Sequence, residues 1–145
     1  MIIAFYKANH AGLPGLYNRA VKWWTNGPYS HCEILFSDGR CASSSYMDGG
    51  VRFKTMDLDI EKWDFIRVPD WLEDDARRWF TLHYGDRYDL LGNFHFLFGP
   101  VAGEKGKWFC SEAVAAALGF DDPWRYCPNT LAAVLRSIPT AAQTI

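Results

Sequence analysis

Paired Cys-x-x-Cys spacings are missing from this chain, and with them the usual signature of a structural zinc site. No basic cluster interrupts the mixed charges, and a formal net charge of −2 gives no electrostatic footprint for nucleic acid. No apolar run approaches the roughly 20 residues of a membrane span, so no integral membrane segment is expected. The opening Met1-Ile2-Ile3-Ala4-Phe5-Tyr6-Lys7 has neither a basic region before its apolar run nor a small-residue cleavage site after it. It reads as a first strand and not as a signal peptide, which implies cytoplasmic synthesis. Repeats, low-complexity tracts and dividing linkers are also lacking, so residues 1–145 read as one domain. The four cysteines, Cys32, Cys41, Cys110 and Cys127, are irregularly spaced, and free thiols are expected of them. No metal and no cofactor is implied.

Apolar bulk, by contrast, is plentiful. A hydrophobic fraction of 49% and an aromatic fraction of 17%, with seven Trp, exclude a disordered tail and supply a packed interior. Leu16, Ala20, Trp23 and Trp24 recur at helical spacing within residues 15–26, with Arg19 and Lys22 on the other side, which reads as an amphipathic helix facing the core. Residues 31–36, 41–46 and 51–55 are rich in β-formers and are separated by Asp38-Gly39 and Asp48-Gly49-Gly50, the pattern of an antiparallel meander. Residues 1–7 and 63–68 can join the same sheet. From Trp71 the period becomes helical: Leu72, Ala76, Trp79, Phe80 and His83 share one face, as do Leu131, Val134, Leu135 and Ile138. Strands grouped early and helices grouped late predict an α+β fold, with four to six mainly antiparallel strands packed against helices.

The segment Trp108-Phe109-Cys110-Ser111-Glu112 carries an aromatic run into a cysteine that opens an Ala-rich helix. A thiol at a helix N-terminus faces unpaired backbone N–H groups and the positive end of the helix dipole, both of which favour thiolate. A buried cysteine that only fills space is the plainer reading of such a residue taken alone. Glu112, in the first turn, suits the dipole and reads as structural.

A second segment supplies a base. On a strand, residues two apart project from one face, so His31 and Glu33 lie together while Cys32 and Ile34 point away. A carboxylate beside an imidazole fixes its tautomer and stabilises the imidazolium that forms when it takes a proton. Read alone, the two residues are a polar pair at a strand edge. Read with Cys110, they complete a cysteine–histidine pair whose members meet only in the fold.

In Ser30-His31-Cys32-Glu33-Ile34, in the hairpin from Asp38-Gly39 to Gly49-Gly50-Val51, in Tyr88-Asp89 and in Phe109-Cys110-Ser111-Glu112, the chain resembles the circularly permuted papain-like NlpC-type cysteine peptidases and amidases, whose relatives include lecithin retinol acyltransferase. The order of histidine strand first and nucleophile helix last is that of the permuted group. The resemblance implies a papain-like permuted fold, Cys110 as nucleophile and His31 as general base. In many relatives the residue that orients the histidine lies on the next strand, here Cys41-Ala42-Ser43-Ser44-Ser45, which offers no acid. Glu33 takes the third role on this reading, with Ser44 as the alternative. Tyr88 resembles a tyrosine near the site in relatives and would donate to the developing oxyanion.

The implied chemistry is acyl transfer through a thioester, with an acyl or peptide substrate. Hydrolysis of amide bonds in peptidoglycan stem peptides is the first expectation, in a protein carried by a virion or released to the cell wall. Thioesterase or acyltransferase chemistry of the same fold and a binding module without chemistry are the alternatives. A membrane-surface role for Leu16, Trp23 and Trp24 is a further one. Residues 100–107, rich in glycine and charge, are expected to form a mobile loop bordering the site.

Overall fold

Strand signals early in this chain and helix signals late in it build a sheet covered by helices, and the computed structural model describes residues 1–9, 12–90 and 105–138. Five strands hold five residues each: β1 (Ile2–Tyr6), β2 (His31–Leu35), β3 (Cys41–Ser45), β4 (Gly50–Lys54) and β5 (Trp63–Arg67). Two more, β6 (Arg87–Tyr88) and β7 (Lys107–Trp108), hold two residues each. The helices are α1 (Leu13–Trp24), α2 (Glu73–Leu82), α3 (Cys110–Ala117) and α4 (Pro128–Ser137).

The strands form one sheet in the order β5-β1-β2-β3-β4-β6-β7. Every adjacent pair is antiparallel except β6 and β7, which run parallel. This is an α+β architecture. The sheet has seven strands where four to six are expected, because strands of two residues are too short to show any alternation. Gly50 is required where β4 meets β6: its φ is +145°, and a Cβ there would stand 1.9 Å from the Asp86 carbonyl oxygen.

The core lies between one face of the sheet and the helices. Ile3, Phe5, Cys32, Ile34, Ala42 and Val51 project from the strands onto Ala76 and Phe80 of α2, Ala113 and Val114 of α3, and Leu131 and Leu135 of α4. The small residues of α3 let its backbone approach β2 and β3 closely. On the opposite face Ala4, Tyr6 and Trp63 form a smaller cluster, covered by Met56 and Leu58 of the segment that returns from β4 to the β5 edge.

The α1 stripe corrects the sequence reading. Leu16, Ala20, Trp23 and Trp24 are exposed, Trp23 by 78%, and Arg19 is exposed as well. Among the described side chains of the helix Gly15 and Asn18 are buried, and the Lys22 ammonium donates to the carbonyls of Lys7 and Ala8.

Candidate active site

Cys110 opens α3, and the chain leading to it is tied down at each residue. The Trp108 carbonyl accepts from Ser44 Oγ at 2.6 Å and from the Asp89 N–H at 3.1 Å. The Trp108 indole N–H donates to Asp86 Oδ2 at 3.0 Å, and its ring meets Trp79 edge-on at 4.8 Å. Phe109 is extended and buried, with no acceptor in its side chain, so helix capping falls to Glu112, whose Oε2 accepts the Phe109 N–H at 3.3 Å. Burial pushes the Glu112 carboxyl up to about 7, a little more so because Asp89 is near.

The histidine is positioned by β2 on the other side. Register pairs all five residues of β2 with β1, but β3 pairs only with Ile34 and Leu35, so the His31 end of β2 has left the β3 ladder. There the Cys32 carbonyl takes its hydrogen bond from Ser43 Oγ, at 2.7 Å, in place of a ladder partner. His31 Nε2 and Glu33 Oε1 are 2.7 Å apart, on the shared face that the alternation of the sequence requires. Glu33 is fully buried, whereas the His31 side chain is 24% exposed and so reaches the surface.

Glu33 has a second partner that the sequence reading missed. Arg52 of β4 donates to both carboxylate oxygens, Nη1 to Oε2 at 2.7 Å and Nη2 to Oε1 at 2.6 Å. Between them on β3 lies Ser43, paired in register with Arg52, and a side chain this small lets the two long ones meet across it. Arg52 Nε also donates to Asp48 Oδ2 at 2.8 Å, and Asp48 accepts from Lys54 at 3.0 Å. A file of alternating charge therefore runs from His31 to the hairpin β3–β4. Burial alone would raise the Glu33 carboxyl, but the guanidinium and the imidazole outweigh it and hold it below the usual carboxylate range. Arg52 in turn is held above its ordinary value, since Glu33 and Asp48 outweigh its burial.

Cys110 opens a helix that packs against β2, the strand of His31 and Cys32, and it shares the buried core with Cys32. The Cys110 thiol is held well below the usual range, first by the hydrogen bond from Cys32, against its burial, and then by the His31 charge. For His31 burial opposes the charge, yet Cys110 and Glu33 outweigh it and push the imidazole up to about 10. Both shifts run in the direction that favours a thiolate and an imidazolium.

The remaining expected site residues sit apart from this cluster or bear on it indirectly. Ser44 is committed to the Trp108 carbonyl, so it anchors the approach to Cys110 and does not orient the imidazole. Tyr88 on β6 is paired in register with Trp108, and its ring meets Tyr46 at 5.9 Å. The expected loop at 100–107 lies for its greater part outside the described residues. All four cysteines are free and buried. Among the described residues no group of three or more His, Cys, Asp or Glu is placed to hold a metal ion, and no helix is long and apolar enough to cross a membrane.

Compared with protein-family models, with curated proteins and with solved structures, the chain gives no match. What the site can do therefore rests on its own geometry: a cysteine at a helix start, a histidine on the strand against which that helix packs, and a buried carboxylate 2.7 Å from the imidazole.

Proposed function

We propose that the protein is a cysteine hydrolase of the permuted papain-like, NlpC-type fold, an amidase or peptidase that works through a thioester intermediate. The observation that carries the reading is the 2.7 Å contact of His31 with the buried Glu33 carboxylate on the strand against which the Cys110 helix packs, the setting in which an orienting acid, a base and a nucleophile can act in sequence. The Cys110 thiolate attacks the substrate carbonyl, and the tetrahedral oxyanion is met by the Cys110 N–H, one of the first-turn groups that a helix leaves without an internal partner. His31 gives its proton to the leaving amine. It then takes a proton from water as the water attacks the thioester, and the acid leaves with Cys110 again a thiolate. Glu33, fixed by Arg52, holds the ring in the tautomer that this cycle needs and stabilises its charged form.

An amide within a peptidoglycan stem peptide is the proposed substrate, and Tyr88 is proposed to line its site. The test is incubation of the full chain with stem-peptide fragments and, separately, with an activated acyl thioester, following products by mass. Cleavage of a stem-peptide amide, with an acyl adduct on Cys110 trapped at low pH, is the expected result. Turnover of the thioester alone would move the substrate to thioesters, and transfer of the acyl group to an added amine or alcohol would make the enzyme a transferase. No adduct with either substrate would leave a binding module and overturn the reading.

A further inference from the structure

The His31 end of β2 has left the β3 ladder and keeps only β1 beside it, so whatever holds the chain entering that end bears on the imidazole. The hold comes from α4. Asn129, its second residue, accepts the Tyr29 N–H through Oδ1 at 2.9 Å and donates through Nδ2 to the Tyr29 carbonyl at 2.9 Å. One side-chain amide thus pairs both backbone groups of one residue, as a neighbouring strand would. Nδ2 also donates to Thr25 Oγ1 at 2.7 Å. The Thr25 hydroxyl itself donates to the Val21 carbonyl, so its oxygen must accept here, and the amide can face only one way. Beyond Tyr29 the Ser30 N–H donates to the Tyr6 carbonyl at 3.1 Å, and His31 pairs in register with Tyr6.

The amide does not serve its own helix. Cys127 caps α4, its sulfur accepting the Thr130 N–H at 3.4 Å, and asparagine is a poorer helix former than alanine. The facing chain is shaped around it instead. A Cβ on Gly27, two residues before Tyr29, would stand 2.3 Å from both Cγ and Oδ1 of Asn129. Gly27 lies outside the left-handed region, so glycine is needed here for room and not for conformation. We propose that Asn129 is a positioning residue for His31: its amide clamps the Tyr29 backbone and so fixes where the unsupported end of β2 begins and where the imidazole stands. This rests on the reading of His31 and Cys110 as base and nucleophile. The second tie between α4 and Tyr29 does not replace the clamp. Arg136 donates to the phenol oxygen, and the phenol donates to Asp64 Oδ2 at 2.7 Å, which fixes the far end of the side chain and leaves the backbone to Asn129.

The experiment is site-resolved iodoacetamide labelling of Cys110 in the full chain, followed by mass spectrometry from acid to alkaline pH, with no substrate present. Wild type is compared with Asn129→Ala, with Gly27→Ala, which keeps every hydrogen-bonding group and displaces the amide by its methyl, and with the double variant. Circular dichroism checks each fold, and Gly27→Ala carries the test where Asn129→Ala fails to fold. Urea unfolding is read alongside, because a loss of packing alone lowers stability without moving the charge at the sulfur. An imidazole drawn out of place favours the thiolate less, so the labelling midpoint is expected to rise by about half a pH unit or more in each single variant. The double variant should rise little further, since both substitutions act through one amide. A low wild-type midpoint that the single variants leave in place would overturn the role of Asn129 alone, as would a rise in only one of them or two rises that add in full. An ordinary thiol midpoint in the wild type would instead overturn the reading of Cys110 and His31 itself, before any variant is compared.

Discussion

Among the described residues two histidine–carboxylate pairs are nearly identical in distance and opposite in setting. His31 and Glu33 are 2.7 Å apart, His83 and Asp86 2.8 Å. Behind His31 the carboxylate is fully buried and locked by Arg52, and the shifts of the ring and of Cys110 favour an imidazolium and a thiolate. Behind His83 the carboxylate is 31% exposed and is shared with the Trp108 indole, while the ring lies stacked on Trp79 at 4.2 Å. The second pair is a bracket that holds the strand leading to Cys110. A carboxylate beside an imidazole is thus common local chemistry, and a base arises only where burial, a cation behind the acid and a nucleophile in front are added.

The comparison breaks most directly at the reacting atoms. Cys110→Ala and His31→Ala are each expected to lower hydrolysis at least about 1,000-fold, and the double variant little further, because nucleophile and base act as one unit. His83→Ala is expected to keep activity within about threefold and to lower stability by roughly 1–2 kcal/mol, through lost stacking and a lost hydrogen bond. Steady-state rates with urea unfolding separate the two, and an equal loss of rate in His83→Ala would erase the distinction.

The buried acid and its cation come next. Glu33→Gln keeps an acceptor for the imidazole but removes the charge that favours its protonated form, so a loss of about a hundredfold in rate is expected, less than for His31→Ala. Arg52→Met leaves Glu33 buried without its cation and is expected to cost about 3–5 kcal/mol in unfolding free energy. The pH signs follow from the shifts. Glu33 is held below its ordinary range, so its contribution is complete above that range and is lost as pH falls through the lowered value. His31 is raised, so its contribution is complete below the ordinary histidine range and is lost as pH rises through about 10. Unfolding of Glu33→Gln followed against pH should lack the acid limb that wild type shows.

Much of this site could be read from the chain because it is local. His31 and Glu33 share a face by the period of a strand, and Cys110 opens a helix by the pattern that follows it. Arg52 was not legible, because its partner lies two strands away and only the register Ser43↔Arg52, with a serine small enough to reach over, brings them together. The α1 stripe misled, because periodicity reports that two faces differ and not which one meets the sheet. The strands β6 and β7, two residues each, carry no period at all.

Glu112 sharpens the contrast with Glu33, for it is a buried carboxyl near the same nucleophile without a cation. Burial raises it to about 7, so the folded protein keeps a proton that the unfolded chain releases near its ordinary value of 4.5. Stability therefore falls as pH rises between those two values, by about 3 kcal/mol at most. Glu112→Gln keeps an oxygen for the Phe109 N–H and removes the ionisation. The variant and wild type should unfold alike near pH 4.5, with the variant growing more stable by comparison toward pH 8.

The smallest effect is expected at Ser44, and it decides whether the serine strand belongs to the chemistry or to the scaffold. Its hydroxyl donates to the Trp108 carbonyl, two residues before the nucleophile, and the same oxygen also accepts the Asp89 N–H. Removing the hydroxyl in Ser44→Ala leaves that carbonyl one partner, so the cost in stability is held to about 1 kcal/mol. The rate should change by no more than about threefold, because the Asp86 bond to the Trp108 indole still fixes the approach to Cys110. A labelling midpoint for Cys110 equal to that of wild type is the decisive reading, since a scaffold bond can alter how often the site is assembled without altering the charge at the sulfur. Were Ser44→Ala to slow hydrolysis more than Glu33→Gln, the orienting role would pass to the serine, and the buried pair of Glu33 and Arg52 would be left as the bracket that His83 and Asp86 are on the other side.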